Sequence, residues 1–201
     1  MPRKNTPPPE GLVYVGEFVS ADEERMLLDE LRMLEFREFS MHGVTAKRRV
    51  LHFGLLYAYE TWRLTEGPPI PEYLLPLRTR CADLIGVSPE ELPEALVTEY
   101  RPGAGIGWHR DAPMFGTVVG VSLGGTCRMR FQRGKGEQRE TTEVLLEPRS
   151  VYVLAGPART EWQHTIPATK ELRYSITLRT LRPRKRTRTD AEPAEHPQQL
   201  R

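Results

Sequence analysis

Gly107-Trp108-His109-Arg110-Asp111, followed by His164 and then by Arg173-Tyr174-Ser175-Ile176-Thr177-Leu178-Arg179, decides how this chain is read. Side chains alternate along an extended segment, so His109 and Asp111 point the same way and can share one ion. A third ligand has to come from another strand, because three neighbouring residues cannot close a facial triangle. His164 follows Asp111 by 53 positions, which leaves room for intervening strands to fold back. Two imidazoles and one carboxylate are the set that holds Fe(II) on one face and leaves the other positions open. The competing reading makes His109 and Asp111 a surface ion pair and His164 a hydrogen-bonded core histidine.

The segment from Arg173 to Arg179 alternates cleanly. Arg173, Ser175, Thr177 and Arg179 share one face; Tyr174, Ile176 and Leu178 share the other. With the polar face in water this is an ordinary amphipathic strand. Turned inward, the same face lines a site for a charged ligand, because a buried arginine without an anionic partner is costly. Two arginines six residues apart suit a small dicarboxylate lying beside the metal. The strand's place directly after His164 favours the inward face. The pattern as a whole implies an oxygenase that uses Fe(II), 2-oxoglutarate and O2.

Working outward, the rest of the chain is consistent with a fold that could carry such a site. Its 201 residues suit one domain with a real core. Charged residues make up 28% but the net charge is only +2, so bulk charge does not mark a polyanion binder. Cys81 and Cys127 stand in no metal-binding or disulfide spacing, as isolated thiols in a reducing compartment would. No secretory signal and no apolar run of the roughly 20 residues a spanning helix needs is visible. A cytoplasmic monomer without membrane contact is expected.

The Pro-rich residues 1–10 and the tail 183–201, with its basic run Arg184–Arg188, are expected to be disordered around a domain at 11–182. Ser20 and Glu23 form a capping box before Leu27, Leu28, Leu31 and Leu34 at helical spacing. A second helix is predicted from near Pro71, carrying Leu77, Cys81 and Leu84 and stopping at Gly86. Pro76 shifts its start later or kinks it. From residue 94 the pattern changes to short strands at 95–101, 117–123, 127–132, 144–146, 151–155, 162–166 and 173–181. Helices followed by many short strands predict an α+β, mainly β fold: a double-stranded β-helix, or jelly roll, with N-terminal helices packed on one sheet.

The run Tyr100-Arg101-Pro102-Gly103-Ala104-Gly105-Ile106-Gly107-Trp108-His109-Arg110-Asp111, with Val121-Ser122-Leu123-Gly124, His164-Thr165-Ile166 and Arg173-x5-Arg179, closely resembles the AlkB family of dioxygenases. The similarity covers about residues 12 to 182 and is most specific from Glu99 onward. The resemblance implies that His109, Asp111 and His164 are iron ligands. It also implies that Arg173 meets the far carboxylate of 2-oxoglutarate, with Arg179 near the chelating end and Tyr100 hydrogen-bonded to the cosubstrate. Thr98 stands where the family usually carries asparagine, and a hydroxyl replaces only part of an amide's contacts.

By the same resemblance the reaction is oxidative demethylation of N-alkylated bases in DNA or RNA, releasing formaldehyde, succinate and CO2. The base would be flipped into the pocket and held beneath a lid at about 36–62. Arg48, Arg49, Phe53, Tyr57, Tyr59, Trp108 and Arg159 are the candidate substrate contacts, since basic residues among aromatics suit phosphate contact plus base stacking. Pro113 stands where the best-known DNA-repair members carry an acidic residue against the base edge. Two alternatives stay open: the same chemistry on a protein side chain or small molecule, and a non-catalytic nucleic-acid-binding module.

Overall fold

In the computed structural model the described residues are 7–41, 44–58 and 63–182, excepting the side chains of 37–41, 44–46, 57–58 and 63. Residues 1–6, the lid residues His42, Tyr59 and Trp62, and the whole tail 183–201 lie outside them. In chain order the elements are β1 (Leu12–Val15), α1 (Ala21–Arg32), β2 (Arg37–Met41), β3 (Val44–Ala58) and β4 (Arg63–Glu66). Next come α2 (Leu75–Ile85), β5 (Glu94–Tyr100), β6 (Ile106–His109), β7 (Phe115–Gly124) and β8 (Cys127–Arg133). The last are β9 (Glu140–Leu146), β10 (Ser150–Leu154), α3 (Gly156–Thr160), β11 (Gln163–Ile166) and β12 (Arg173–Leu181).

Both long helices are delimited by local chemistry. The Ser20 hydroxyl accepts from the Glu23 amide at 3.2 Å and opens α1. A short 3-10 turn at Glu72–Leu74 precedes α2, so Pro76 sits in the first turn, where its missing N–H is harmless. Gly86 ends α2 in the left-handed conformation, φ 70°.

Two antiparallel sheets face each other. The larger runs β1-β10-β7-β12-β5-β3-β2 with β4 beside β3; the smaller runs β6-β11-β8-β9. The period of two gives the larger sheet two distinct faces. Its outer face (Val97, Val121, Ile176, Leu178) is covered by Leu27 and Leu31 of α1 and Leu77 and Cys81 of α2. Its inner face, with Val118, Tyr152 and Leu154, packs against Met129 and Phe131 of the smaller sheet. The site lies between the sheets. The architecture is therefore the jelly roll with helices on one sheet.

Several boundaries differ from those the sequence predicts. The first half holds four strands as well as the helices. The segment 44–58 forms one long strand despite Lys47, Arg48, Arg49 and His52, because its pairing with β5 buries one side of it against the helices. Packing also begins before residue 11: Pro9 is buried and the Glu10 carbonyl accepts from the Ala158 amide at 2.8 Å. Among the described residues no helix is long and apolar enough to cross a membrane.

Gly120, in the middle of β7, lies directly under the Tyr152 ring, and a Cβ there would come within 2.2 Å of it. Gly120→Ala is expected to cost about 1–3 kcal/mol in urea unfolding. A double-mutant cycle with Tyr152→Leu should show a coupling of roughly 1 kcal/mol or more. Zero coupling would mean that the methyl is absorbed by the backbone instead.

Candidate metal and cosubstrate site

The pairing of β6 with β11 sets His109 opposite His164, and the two imidazole rings lie 4.2 Å apart, centroid to centroid. Asp111 follows β6 directly, and its Oδ2 is 3.8 Å from His164 Nε2. The Gly107 carbonyl lies 2.8 Å from His109 Nδ1. A carbonyl can only accept, so Nδ1 carries the hydrogen and Nε2 keeps its lone pair for a metal. Asp111 Oδ1 accepts from Arg179 Nη2 at 2.8 Å and Nε at 3.1 Å, while Oδ2 is buried with no hydrogen-bond partner among the described residues. One carboxylate oxygen is thus held and the other left for an ion.

The electrostatics agree. Burial alone would raise the Asp111 carboxyl, but Arg179, with His164, Arg159 and His109 behind it, holds it well below the usual carboxylate range. Burial, then the neighbouring His109, pushes His164 down to about 3, and burial also pushes His109 down. Both rings are therefore neutral near pH 7 and the aspartate is charged, the protonation states in which these groups ligate. Among the described residues no three His, Cys, Asp or Glu side chains are already closed to metal-ligating distances. His109, Asp111 and His164 are the donor set whose chemistry fits Fe(II).

The inner face of β12 carries Arg173, Ser175, Thr177 and Arg179, all buried. Arg173 is completely buried, with Nε donating to Ser122 Oγ at 2.9 Å and its guanidinium 5.1 Å from the Tyr100 ring centroid. Its Nη1 and Nη2 have no hydrogen-bond partner among the described residues. A buried guanidinium with both outer nitrogens unmet has the geometry to take a carboxylate. Arg179 lies at the metal end of the site, on Asp111. Besides gripping Asp111, its Nη1 bonds both oxygens of buried Glu94, at 3.0 and 2.8 Å.

A cavity of about 440 Å³ is lined by Thr98, Tyr100, Ser175, Thr177 and Arg179 and, at its other side, by His109, Asp111 and His164, while Arg173 lies behind its wall against the Tyr100 ring. Trp108 lines it while remaining exposed, which puts the indole at the rim. On β3 the period of two divides the basic pair. Arg48 lines the cavity with Val50 and His52, whereas Arg49 points to the helix side, where it meets Glu99 at 2.7 Å and lies over the Phe36 ring.

Three of the substrate contacts expected from the sequence are therefore corrected. Arg49 faces the wrong side of the sheet, and Phe53, on the same side, packs into the core under the helices. Arg159 is buried, and its Nη2 donates to the Ala112 and Phe115 carbonyls at 2.7 and 3.0 Å, so it braces the loop after Asp111. The Tyr57 side chain and all of Tyr59 lie outside the described residues. Sequence reasoning assigned no site role to Glu94, Ser122 or His52. The period of two groups 48, 50 and 52 on β3 and 94, 96 and 98 on β5, and the β3–β5 register puts the two sets on one face.

Comparison with known proteins follows the same lines. A family model described as the 2OG-Fe(II) oxygenase superfamily matches residues 11–184. The mouse tRNA (carboxymethyluridine(34)-5-O)-methyltransferase ALKBH8 is 29% identical over 173 residues, covering 81% of this chain and 25% of that protein. The chain thus spans about a quarter of that relative's length. The mouse DNA oxidative demethylase ALKBH2 is 30% identical over 149 residues, covering 66% of this chain and 60% of that one. The solved structure of OsALKBH1 matches in fold with a TM-score of 0.65 at 17% identity, covering 86% of this chain and all of that one. The chain belongs to the 2OG-Fe(II) oxygenase superfamily and is AlkB-like within it.

Proposed function

We propose that this chain is an Fe(II)- and 2-oxoglutarate-dependent dioxygenase that removes N-alkyl groups from bases in DNA or RNA. One observation carries the reading: two unmet buried groups of opposite charge in the same inter-sheet core, the Arg173 guanidinium and Asp111 Oδ2 beside the two histidines. A dicarboxylate that meets Arg173 at one end and a divalent ion at the other satisfies both. Bound iron, with 2-oxoglutarate and O2, supplies the oxidising chemistry, with succinate, CO2 and formaldehyde as products.

The protein's own residues bind, orient and exclude water. Arg173, held at Nε by Ser122, fixes the cosubstrate's far end, and Tyr100 and Thr98 flank it. Arg179 fixes the Asp111 carboxylate and Gly107 fixes the tautomer of His109. The apolar lining from Val118, Met129, Leu154 and Ile166 keeps the interior dry. No acid or nucleophile from the protein is required.

Support for a nucleic-acid substrate comes from the similarity to a DNA oxidative demethylase and from the rim. Trp108 offers a stacking plane, and Arg48 and Arg110 line the same opening. We place the activity in the cytoplasm as repair by a monomer, in keeping with two buried free cysteines.

Succinate formation with Fe(II) and 2-oxoglutarate should rise on addition of an N-methylated oligonucleotide over its unmethylated twin. No stimulation by any such oligonucleotide would remove the nucleic-acid reading and leave the oxygenase one. His109→Ala and Asp111→Ala should abolish turnover, and full activity in either would sink the ligand assignment. Arg173→Gln should raise the KM for 2-oxoglutarate by roughly tenfold or more, the loss of a charge-assisted contact. Arg179→Gln should instead weaken Fe(II) affinity by about 10–100-fold, measured by metal titration, because it acts through Asp111.

A further inference from the structure

His52 stands out among the cavity's polar groups because it is braced from behind. It lies on β3 opposite Leu96 of β5, which in turn lies opposite Thr177 of β12. Next along the sheet, Arg179 pairs with Glu94. This register carries His52 to the edge of the metal side, and its side chain lines the cavity while staying about a quarter exposed. His52 Nδ1 lies 3.3 Å from Glu94 Oε1. That carboxylate is almost completely buried and already bound to Arg179, which grips Asp111 in turn.

The chemistry fixes the ring. A carboxylate can only accept, so Nδ1 carries a hydrogen and Nε2 is the atom left for the cavity. In the neutral ring Nε2 is an acceptor. The other inward residues of β3 offer a different chemistry: Arg48 only donates and Val50 is apolar. Thr98, Ser175 and Thr177, on β5 and β12, line the same cavity with hydroxyl groups. Pro113, just after the metal aspartate, is exposed and carries no acceptor on its side chain.

Resting on the nucleic-acid reading above, we infer that His52 is a specificity-determining residue. Its Nε2 accepts from the exocyclic amino group next to the alkylated ring nitrogen, with Glu94 holding the ring in place. The chain of contacts His52–Glu94–Arg179–Asp111 ties the base-reading atom rigidly to the metal ligand. A base seated against His52 is therefore registered against the reacting centre by protein geometry alone.

The test compares 3-methylcytosine with 3-methyluracil in one oligonucleotide sequence. The two differ in an amino or a carbonyl group at the position next to the methylated nitrogen. The wild-type protein should favour 3-methylcytosine in kcat/KM. His52→Asn keeps a donor near Nδ1 but has nothing at Nε2, and should cut that preference by about tenfold or more. The KM for 2-oxoglutarate should shift less than about twofold in the same variant. His52→Gln reaches the Nε2 position with an amide and should retain more of the preference than Asn. A preference unchanged in both variants, or an equal fall for both bases, overturns the assignment. If wild-type protein responds to neither oligonucleotide nor to other N-methylated ones, the nucleic-acid reading falls and takes this inference with it.

Discussion

Arg179 occupies the point on which the site depends. Its guanidinium is buried between two carboxylates, taking Asp111 with Nε and Nη2 and Glu94 with Nη1. Without it, burial would favour protonation of Asp111, and a neutral carboxyl is a poor ligand for a divalent ion. With it, Asp111 remains an anion whose second oxygen is unmet, so the bare site is electrostatically incomplete. The same guanidinium spans β5, β12 and the loop after β6. It joins the two sheets at the place where the ion's ligands converge. An arginine suits this better than a lysine because its planar fork serves two acceptors at fixed angles.

Behind the Tyr100 wall of the cavity the same logic holds with the sign reversed. Arg173 is buried as deeply as any large residue of the chain, yet only its Nε is satisfied, by Ser122. Burying a charge with unmet donors is costly, and the Tyr100 ring beside it offsets only part of that cost. The spacing between the two arginines is set by β12 itself, since residues six apart on one face lie about 20 Å apart along an extended strand. Gly120 leaves space beside Thr177 for the Tyr152 ring, which closes the cavity wall between them.

Much of this was legible in the sequence, and the limits have physical causes. The strand from Arg173 to Arg179 showed its period of two, but periodicity does not say which face is dry. Here both faces are buried, one against helices and one around the cavity. Arg48 and Arg49 are adjacent and chemically equal, so only the register with β5 could separate the cavity-lining one from the one bound to Glu99. Phe53 followed Arg49 to the helix side for the same reason. Arg159 was opaque in another way, because its partners are the Ala112 and Phe115 carbonyls, which leave no trace in residue type. The proposed metal residues were the most legible group, since three donors in one order constrain a fold more than any single strand does, and the structure sets them side by side.

The residues proposed to hold the cosubstrate and those proposed to face the substrate belong to different parts of the sheet. Arg173, Arg179, Tyr100 and Thr98 lie on β5 and β12, in the interior of the larger sheet with strands on both sides. Arg48, Val50 and His52 lie on β3, next to the edge formed by β2. Substitutions in the central pair disturb buried charges and cost stability as well as activity. Substitutions at the inward positions of β3 change a half-exposed surface and leave the ion's ligands alone. His52 is the exception that joins the two regions, because Glu94 connects it to Arg179. Pro113 removes one side chain that could face a base, and β3 supplies polar groups from the opposite wall. Polar variety on the cavity wall is thus concentrated on β3, and only at His52 does a change there reach Asp111 through Glu94 and Arg179.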